Sequence, residues 1–209
     1  MRYTPTDIKS NPGFELLDVL SYDSVLDFAR IYTRKNTRSM IFFYICLICT
    51  FLILVGSLVY GMIIHDRAFL SILKQYFYGL IISFSIIIPI HEIVHGIVYI
   101  LFGAKKILFG AELKQFAFYA VAEDFVTGRT GFYILAISPF IVISLLNLAG
   151  FIFVSGVASY TYISMLFFHT TMCIGDFALM SYYDIHKNKE IYTFDDVKSR
   201  ISYFYYRKK

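Results

Sequence analysis

The chain has 209 residues, of which 58% are hydrophobic and only 16% are charged. Its mean hydropathy of +0.64 excludes an ordinary soluble domain and an intrinsically disordered chain. The formal net charge of +4 at pH 7 is small and fits a membrane protein that contacts membrane lipid, so we do not expect nucleic acid as a partner.

The first 39 residues are polar and charged, and they contain one predicted helix. This helix covers residues 24–33, with Asp23 or Ser24 as its N-cap. Basic residues are concentrated between positions 30 and 38, directly before the first apolar stretch. Because such residues remain on the cytoplasmic side of a membrane, we expect the N terminus to be cytoplasmic.

Long apolar stretches dominate the rest of the chain. Each is close to the roughly 20 residues that a helix needs to cross about 30 Å of hydrocarbon. Each must be helical, because backbone groups in lipid have to form their hydrogen bonds within the segment. We therefore predict an all-α membrane protein with about four transmembrane helices. The four predicted spans are residues 40–64, 76–102, 131–154 and 160–183.

The segment after the last span is again rich in lysine and arginine, which predicts a cytoplasmic C terminus. An even number of crossings agrees with this. The sequence thus predicts three parts: a cytoplasmic segment at residues 1–39, a four-helix transmembrane domain at residues 40–183 and a cytoplasmic tail at residues 184–209.

A small β-hairpin-like insertion is predicted between the second and third spans, also on the cytoplasmic side. Residues 104–126 alternate apolar and polar side chains in parts and are punctuated by glycine. An exposed strand edge here could pair with an extended substrate peptide. A simple amphipathic segment at the membrane surface is the alternative interpretation.

The second span contains the pattern H-E-x-x-H, formed by His91, Glu92 and His95. Residues four apart lie on one face of a helix, so both imidazoles can bind a single metal ion at about 2.0 to 2.1 Å. Glu92 lies roughly 100° away around the helix and can act on a water molecule instead. These residue types at this spacing indicate a zinc-dependent peptidase with Glu92 as the general base.

A polar cluster that only joins helices by hydrogen bonds is the alternative explanation of the motif. Ionisable side chains in a bilayer interior cost roughly 2.5 to 3.5 kcal/mol each on insertion scales, and this favours a functional role.

Zinc requires at least one further protein ligand, and His169 and Asp176 are the candidates in the last span. The motif lies about 14 Å from the cytoplasmic end of its helix, Asp176 about 10 Å and His169 about 21 Å, at 1.5 Å per residue. Asp176 is therefore the predicted ligand, and His169 remains the alternative. Cys173 either faces the same site or serves only in packing.

Prolines near the motif are expected to open space around it. Pro89 has no N–H to donate to the carbonyl of Ser85, so the helix should kink or loosen just before the motif. Ser138 and Pro139 should perturb the third span at a similar depth.

The segments "HEIVHG", an S-P pair in a following helix and a G-D pair in the last one resemble bacterial membrane proteins classed as zincin peptidases. That family is similar in turn to site-2-type intramembrane zinc metalloproteases. The resemblance covers residues 76–183 and implies a bacterial cell membrane protein. It also implies that His91, His95 and Asp176 bind Zn²⁺ and that Glu92 is catalytic.

The predicted function is therefore a zinc metallopeptidase that cleaves membrane proteins or peptides. Two alternatives remain open. One is a transporter or channel-like protein that uses the same side chains as a metal or proton pathway. The other is a membrane scaffold without catalytic activity.

Overall fold

The structure is a computed structural model that describes residues 3–64, 69–112 and 117–208. The chain divides into two compact units. The first unit contains Met1–Met40, Glu92–Ser138 and Asp176–Lys209, and the second contains Ile41–His91 and Pro139–Gly175. The divisions fall inside helices that continue from one unit into the other.

Among the described residues, three apolar helical stretches are long enough to cross a membrane: Arg38–Ile63, Phe69–Leu101 and Arg129–Phe153. Their outward side chains are large and apolar, and Ile152, for example, is 70% exposed. Such a surface is unfavourable in water and suits lipid. The first stretch is helix α3 (Arg38–Ile64) and the third is helix α6 (Arg129–Phe153). The second stretch contains two helices, α4 (Phe69–Ile82) and α5 (Ile88–Leu101).

The last apolar stretch consists of two helices with a 41° bend between them. Helix α7 covers Ser159–Met172, after a 3₁₀ turn at Gly156–Ala158, and helix α8 covers Ile174–Ile185. The described part of the chain therefore has three helices that could span a membrane, or up to four if the bent pair is one span. This is consistent with an integral membrane protein and with the approximate number of predicted spans.

Within the second unit, α4 and α7 pack closely at small and hydroxylated residues. A Cβ atom at Gly79 would lie 2.5 Å from the Cβ of Ser164. The Ser164 hydroxyl donates to the carbonyl of Tyr76 at 2.7 Å, and the Thr161 hydroxyl donates to the side-chain oxygen of Gln75 at 2.6 Å. In lipid, helices are joined mainly by van der Waals packing at small residues such as glycine and by hydrogen bonds between the helices.

The first unit contains a four-stranded antiparallel sheet that the sequence analysis did not predict, so "all-α" was too narrow a description. The strands are β1 (Phe14–Ser21), β4 (Thr127–Gly128), β5 (Ile191–Asp196) and β6 (Ile201–Arg207). Their order in the sheet is β1–β6–β5–β4. Strands β1 and β6 come from opposite ends of the chain, and this pairing of distant segments is not visible in a local pattern.

Two short helices accompany this sheet. Helix α2 covers Val25–Thr33 with Ser24 at its N-cap position, which confirms the predicted helix near residues 24–33. Helix α1 covers Pro5–Ser10 and begins with a capping box in which Thr4 and Asp7 bond each other's backbone N–H groups.

The predicted hairpin between the second and third spans is confirmed. Strand β2 (Ile107–Glu112) pairs with β3 (Ala117–Ala122) in antiparallel register. The hairpin packs on α5, since a Cβ atom at Gly96 would lie 2.8 Å from the ring of Phe109. Gly96 follows His95 directly, so strand β2 lies beside the H-E-x-x-H motif.

Candidate metal centre

The helix that carries the motif is loosened directly before it. Residues Ser83–Ile87 form a π-helical turn, in which the N–H of Ile88 donates to the carbonyl of Ser83 five residues earlier. Pro89 follows this turn and cannot continue the normal hydrogen-bond pattern. The expected loosening is therefore confirmed. Because a π turn inserts one extra residue, it changes which face of the helix presents His91 and His95.

His95 is buried and its ring orientation is set by the third apolar helix. The Nδ1 atom of His95 lies 3.0 Å from the carbonyl oxygen of Leu135. A carbonyl can only accept a hydrogen bond, so Nδ1 must carry the proton. Pro139, four residues after Leu135, has no N–H to occupy that carbonyl within the helix. The proline thus makes the Leu135 carbonyl available to His95.

The other ring nitrogen of His95 faces Asp176, in the first turn of α8. His95 Nε2 and Asp176 Oδ1 are 3.3 Å apart. With Nδ1 donating to Leu135, a neutral imidazole presents only a lone pair to this carboxylate. A cation, either a metal ion or a second proton on the ring, is needed between two such acceptors.

The distance also fits zinc. Two ligand atoms at 2.0 to 2.1 Å from a tetrahedral zinc are separated by about 3.3 Å. A neutral imidazole and a carboxylate oxygen are both common zinc ligands. The His95 and Asp176 side chains therefore match, in chemistry and in spacing, two of the ligands that a zinc site requires.

His91 is buried one helical turn before His95 and makes a different contact. Its Nδ1 atom lies 3.2 Å from Nε2 of His169, on α7. Nε2 of His169 also lies 3.6 Å from Sγ of Cys173. His169 and Cys173 are completely buried. The predicted alternative ligand His169 is thus brought to His91, whereas the preferred candidate Asp176 is brought to His95.

Two groups of side chains could hold a metal ion in the part of the chain that the structure describes. The first is His91, His169 and Cys173, all of which are buried, and the second is His91, His95 and Asp176. His91 belongs to both groups. Glu92, the predicted general base, follows His91 in the same helix and is partly buried. The ligand set and the role of Glu92 remain predictions.

One member of the site, the backbone carbonyl of Leu135, is not among the residues predicted from the sequence. A signal for it was present, because Pro139 releases the carbonyl four residues before it in a helix. The proline was expected to perturb α6 at this depth. What could not be read from the chain was which side chain would use the released carbonyl.

The H-E-x-x-H histidines are buried, and with Asp176 they form a group that could hold a metal ion. These zincin-like residues lie in a mostly helical protein whose apolar helices are consistent with an integral membrane protein. A family model described as "Putative zincin peptidase" matches residues 84–191, just over half of the 209-residue chain. The chain belongs to this family. No curated protein and no solved structure matches the chain significantly.

Proposed function

We propose that the protein is a zinc-dependent, membrane-embedded endopeptidase that hydrolyses peptide bonds of membrane-associated substrates. His91, His95 and Asp176 hold the zinc ion, and Glu92 is the catalytic acid and base. The observation that carries the proposal is the 3.3 Å separation of His95 Nε2 and Asp176 Oδ1, with the His95 tautomer set by Leu135. Family membership supports the peptidase class.

The residues divide the chemistry between them. A bound zinc ion supplies Lewis acidity that activates a water molecule and polarises the peptide carbonyl. Glu92 accepts the proton of that water and delivers it to the leaving amine. The hydrogen bond from His95 to Leu135 holds the imidazole in one tautomer and orientation. The burial of His91 and His95 limits the access of bulk water to the site.

Strand β2 is the proposed docking edge for the substrate. Among the described residues this strand pairs only with β3, so its other edge can accept a further strand. The contact between Phe109 and Gly96 places β2 next to the motif helix. A substrate that adds a strand at this edge presents its peptide bond in the extended form that a peptidase requires.

The variant Glu92→Gln tests the function. The full chain is purified in detergent, its zinc content is measured by elemental analysis, and it is reconstituted in liposomes with dye-labelled single-span peptides. We expect stoichiometric zinc in both the wild type and Glu92→Gln. Cleavage by the variant should be slower by about 10² to 10⁴-fold.

The variants His91→Ala, His95→Ala and Asp176→Ala serve as controls, and each should lose both zinc and cleavage. Zinc flux into the liposomes that persists in Glu92→Gln would instead support a transporter. A wild-type protein that binds no zinc would contradict the proposed function and support a scaffold.

A further inference from the structure

His169 is completely buried on α7, and the sequence predicts it as the alternative third zinc ligand. Its Nε2 atom lies 3.2 Å from Nδ1 of His91, and the two rings are inclined by 60° with centroids 5.5 Å apart. This is a hydrogen-bond distance with one ring nitrogen of each residue involved. His169 therefore contacts the Nδ1 nitrogen of His91, which is a predicted zinc ligand.

The two histidines of the motif, His91 and His95, both make their contact through the Nδ1 nitrogen. His95 contacts the Leu135 carbonyl through Nδ1, and His91 contacts His169 through Nδ1. A histidine that binds zinc through Nε2 is neutral and carries its proton on Nδ1, where a protein acceptor orients it. The matching use of Nδ1 in both residues indicates that both direct Nε2 toward one metal ion.

We propose that His169 is a positioning residue, which accepts a hydrogen bond from His91 Nδ1–H and so directs His91 Nε2 to the zinc ion. This inference rests on the proposed zinc site. It assigns to His169 an orienting role in place of direct metal binding. Since acceptors of this kind raise the basicity of the ligand and limit its rotation, removing one typically weakens metal binding by 10 to 100-fold.

The position of His169 is set by the packing of α7 on α4. Ser164 and Thr161, one to two turns before His169 on α7, bond to Tyr76 and Gln75 of α4. Helix α4 continues through the π turn into α5, where His91 lies. The same helix–helix contact therefore locates both partners of the His91–His169 bond.

Direct coordination by His91, His169 and Cys173 is the competing arrangement, because these residues also form a group that could hold a metal ion. The two arrangements differ in the role of Cys173. A thiolate ligand is essential to a Cys-His-His site, whereas the positioning role needs no thiolate.

The test measures zinc affinity by competition with a chelator, using the full chain in detergent. The variants are His169→Phe, His169→Gln, His169→Asn and Cys173→Ser. We expect His169→Phe to weaken zinc binding by about 10 to 100-fold. The Gln amide reaches the position of Nε2 and can still accept, so His169→Gln should remain within about threefold of the wild type. The Asn amide is one methylene shorter, and His169→Asn should resemble His169→Phe.

Cys173→Ser should bind zinc like the wild type. The wild-type protein with cobalt in place of zinc should show no charge-transfer band from a thiolate ligand. Wild-type affinity in His169→Phe would overturn the positioning role. So would loss of stoichiometric zinc in His169→Gln, or a thiolate band that Cys173→Ser removes, because either result makes His169 or Cys173 a ligand.

Size-exclusion profiles and thermal unfolding identify any variant that fails to fold. If His169→Phe fails, the comparison of His169→Gln with His169→Asn decides whether His169 is a positioning residue, since both variants carry the same amide. A wild type that binds zinc while His169→Phe binds it equally well refutes this inference alone. A wild type without zinc refutes the proposed function together with it.

Discussion

Pro139 and Leu135 illustrate how one residue in an apolar helix can affect the contacts of a side chain on another helix. An interior proline weakens a helix by about 3 kcal/mol or more because it removes a hydrogen bond and clashes with the preceding turn. Here the unoccupied carbonyl is the one that His95 contacts at 3.0 Å. The local cost is thus offset by an acceptor that orients a predicted zinc ligand.

Replacing Pro139 by alanine should weaken zinc binding. The new N–H at position 139 would donate to the Leu135 carbonyl within the helix and compete with His95 Nδ1. We expect a loss of about tenfold in zinc affinity, in the range for partners of metal ligands, together with unchanged or higher thermal stability.

The matched control is Ser138→Ala. The Ser138 hydroxyl donates to the carbonyl of Ile134, so this change removes a neighbouring hydrogen bond without affecting Leu135. Its zinc affinity, measured by chelator competition, should equal that of the wild type. Equal losses in the two variants would argue against a specific role of the proline.

At the scale of elements, the packing of α4 against α7 holds these two helices of the second unit together. At Gly79 the two helices approach so closely that a side chain has no space, and the hydrogen bonds from Ser164 and Thr161 lie on the same face. In lipid there is little hydrophobic force between helices, so packing and such bonds supply the attraction. The contact also fixes where His169 meets His91.

Gly79→Ala should destabilise the protein. The added Cβ would lie 2.5 Å from the Cβ of Ser164 and 2.7 Å from the carbonyl oxygen of Thr161. Overpacking of this kind typically costs 1 to 3 kcal/mol, which should lower the thermal unfolding temperature in detergent and weaken zinc binding.

Gly56→Ala is the control, because among the described residues no atom lies within 4 Å of the Cβ position at Gly56, apart from its chain neighbours and its own helix backbone. It is also an interior glycine of an apolar helix, α3. Its unfolding temperature should be unchanged or slightly higher, since alanine favours a helix over glycine. A similar loss of stability in both variants would indicate that the α4–α7 approach is not responsible.

For the molecule as a whole, the four-stranded sheet bears on the membrane topology. Strand β1 precedes the first apolar helix and pairs with β6, which follows the last one. Strand β4 lies between the second and third apolar stretches and pairs with β5. A sheet cannot join segments on opposite sides of a bilayer, so the pairing supports an even number of crossings. We propose on this basis that the bent pair α7–α8 is one span. With the basic residues that precede the first apolar helix, we further propose that both termini are cytoplasmic.

Single cysteines placed in a cysteine-free variant test this topology in intact cells. Ser10→Cys and Ser199→Cys lie at exposed positions of the terminal segments, and Ser155→Cys lies at an exposed position between α6 and α7. A membrane-impermeant maleimide should label only Ser155→Cys from outside, and the other two only after permeabilisation. Labelling of Ser10→Cys and Ser199→Cys from opposite sides would contradict the proposal.

Local patterns in the chain were enough to predict the apolar helices, the hairpin and the spacing of His91 and His95, because a helix forms its hydrogen bonds between residues four apart and a hairpin between near neighbours. The large sheet was missed, since β1 and β6 are separated by nearly the whole chain. Likewise, the contacts of His95 with Leu135 and Asp176, and of His91 with His169, join residues 40 to 81 positions apart. Periodicity along one segment carries no information about such partners, which are set by the packing of separate helices.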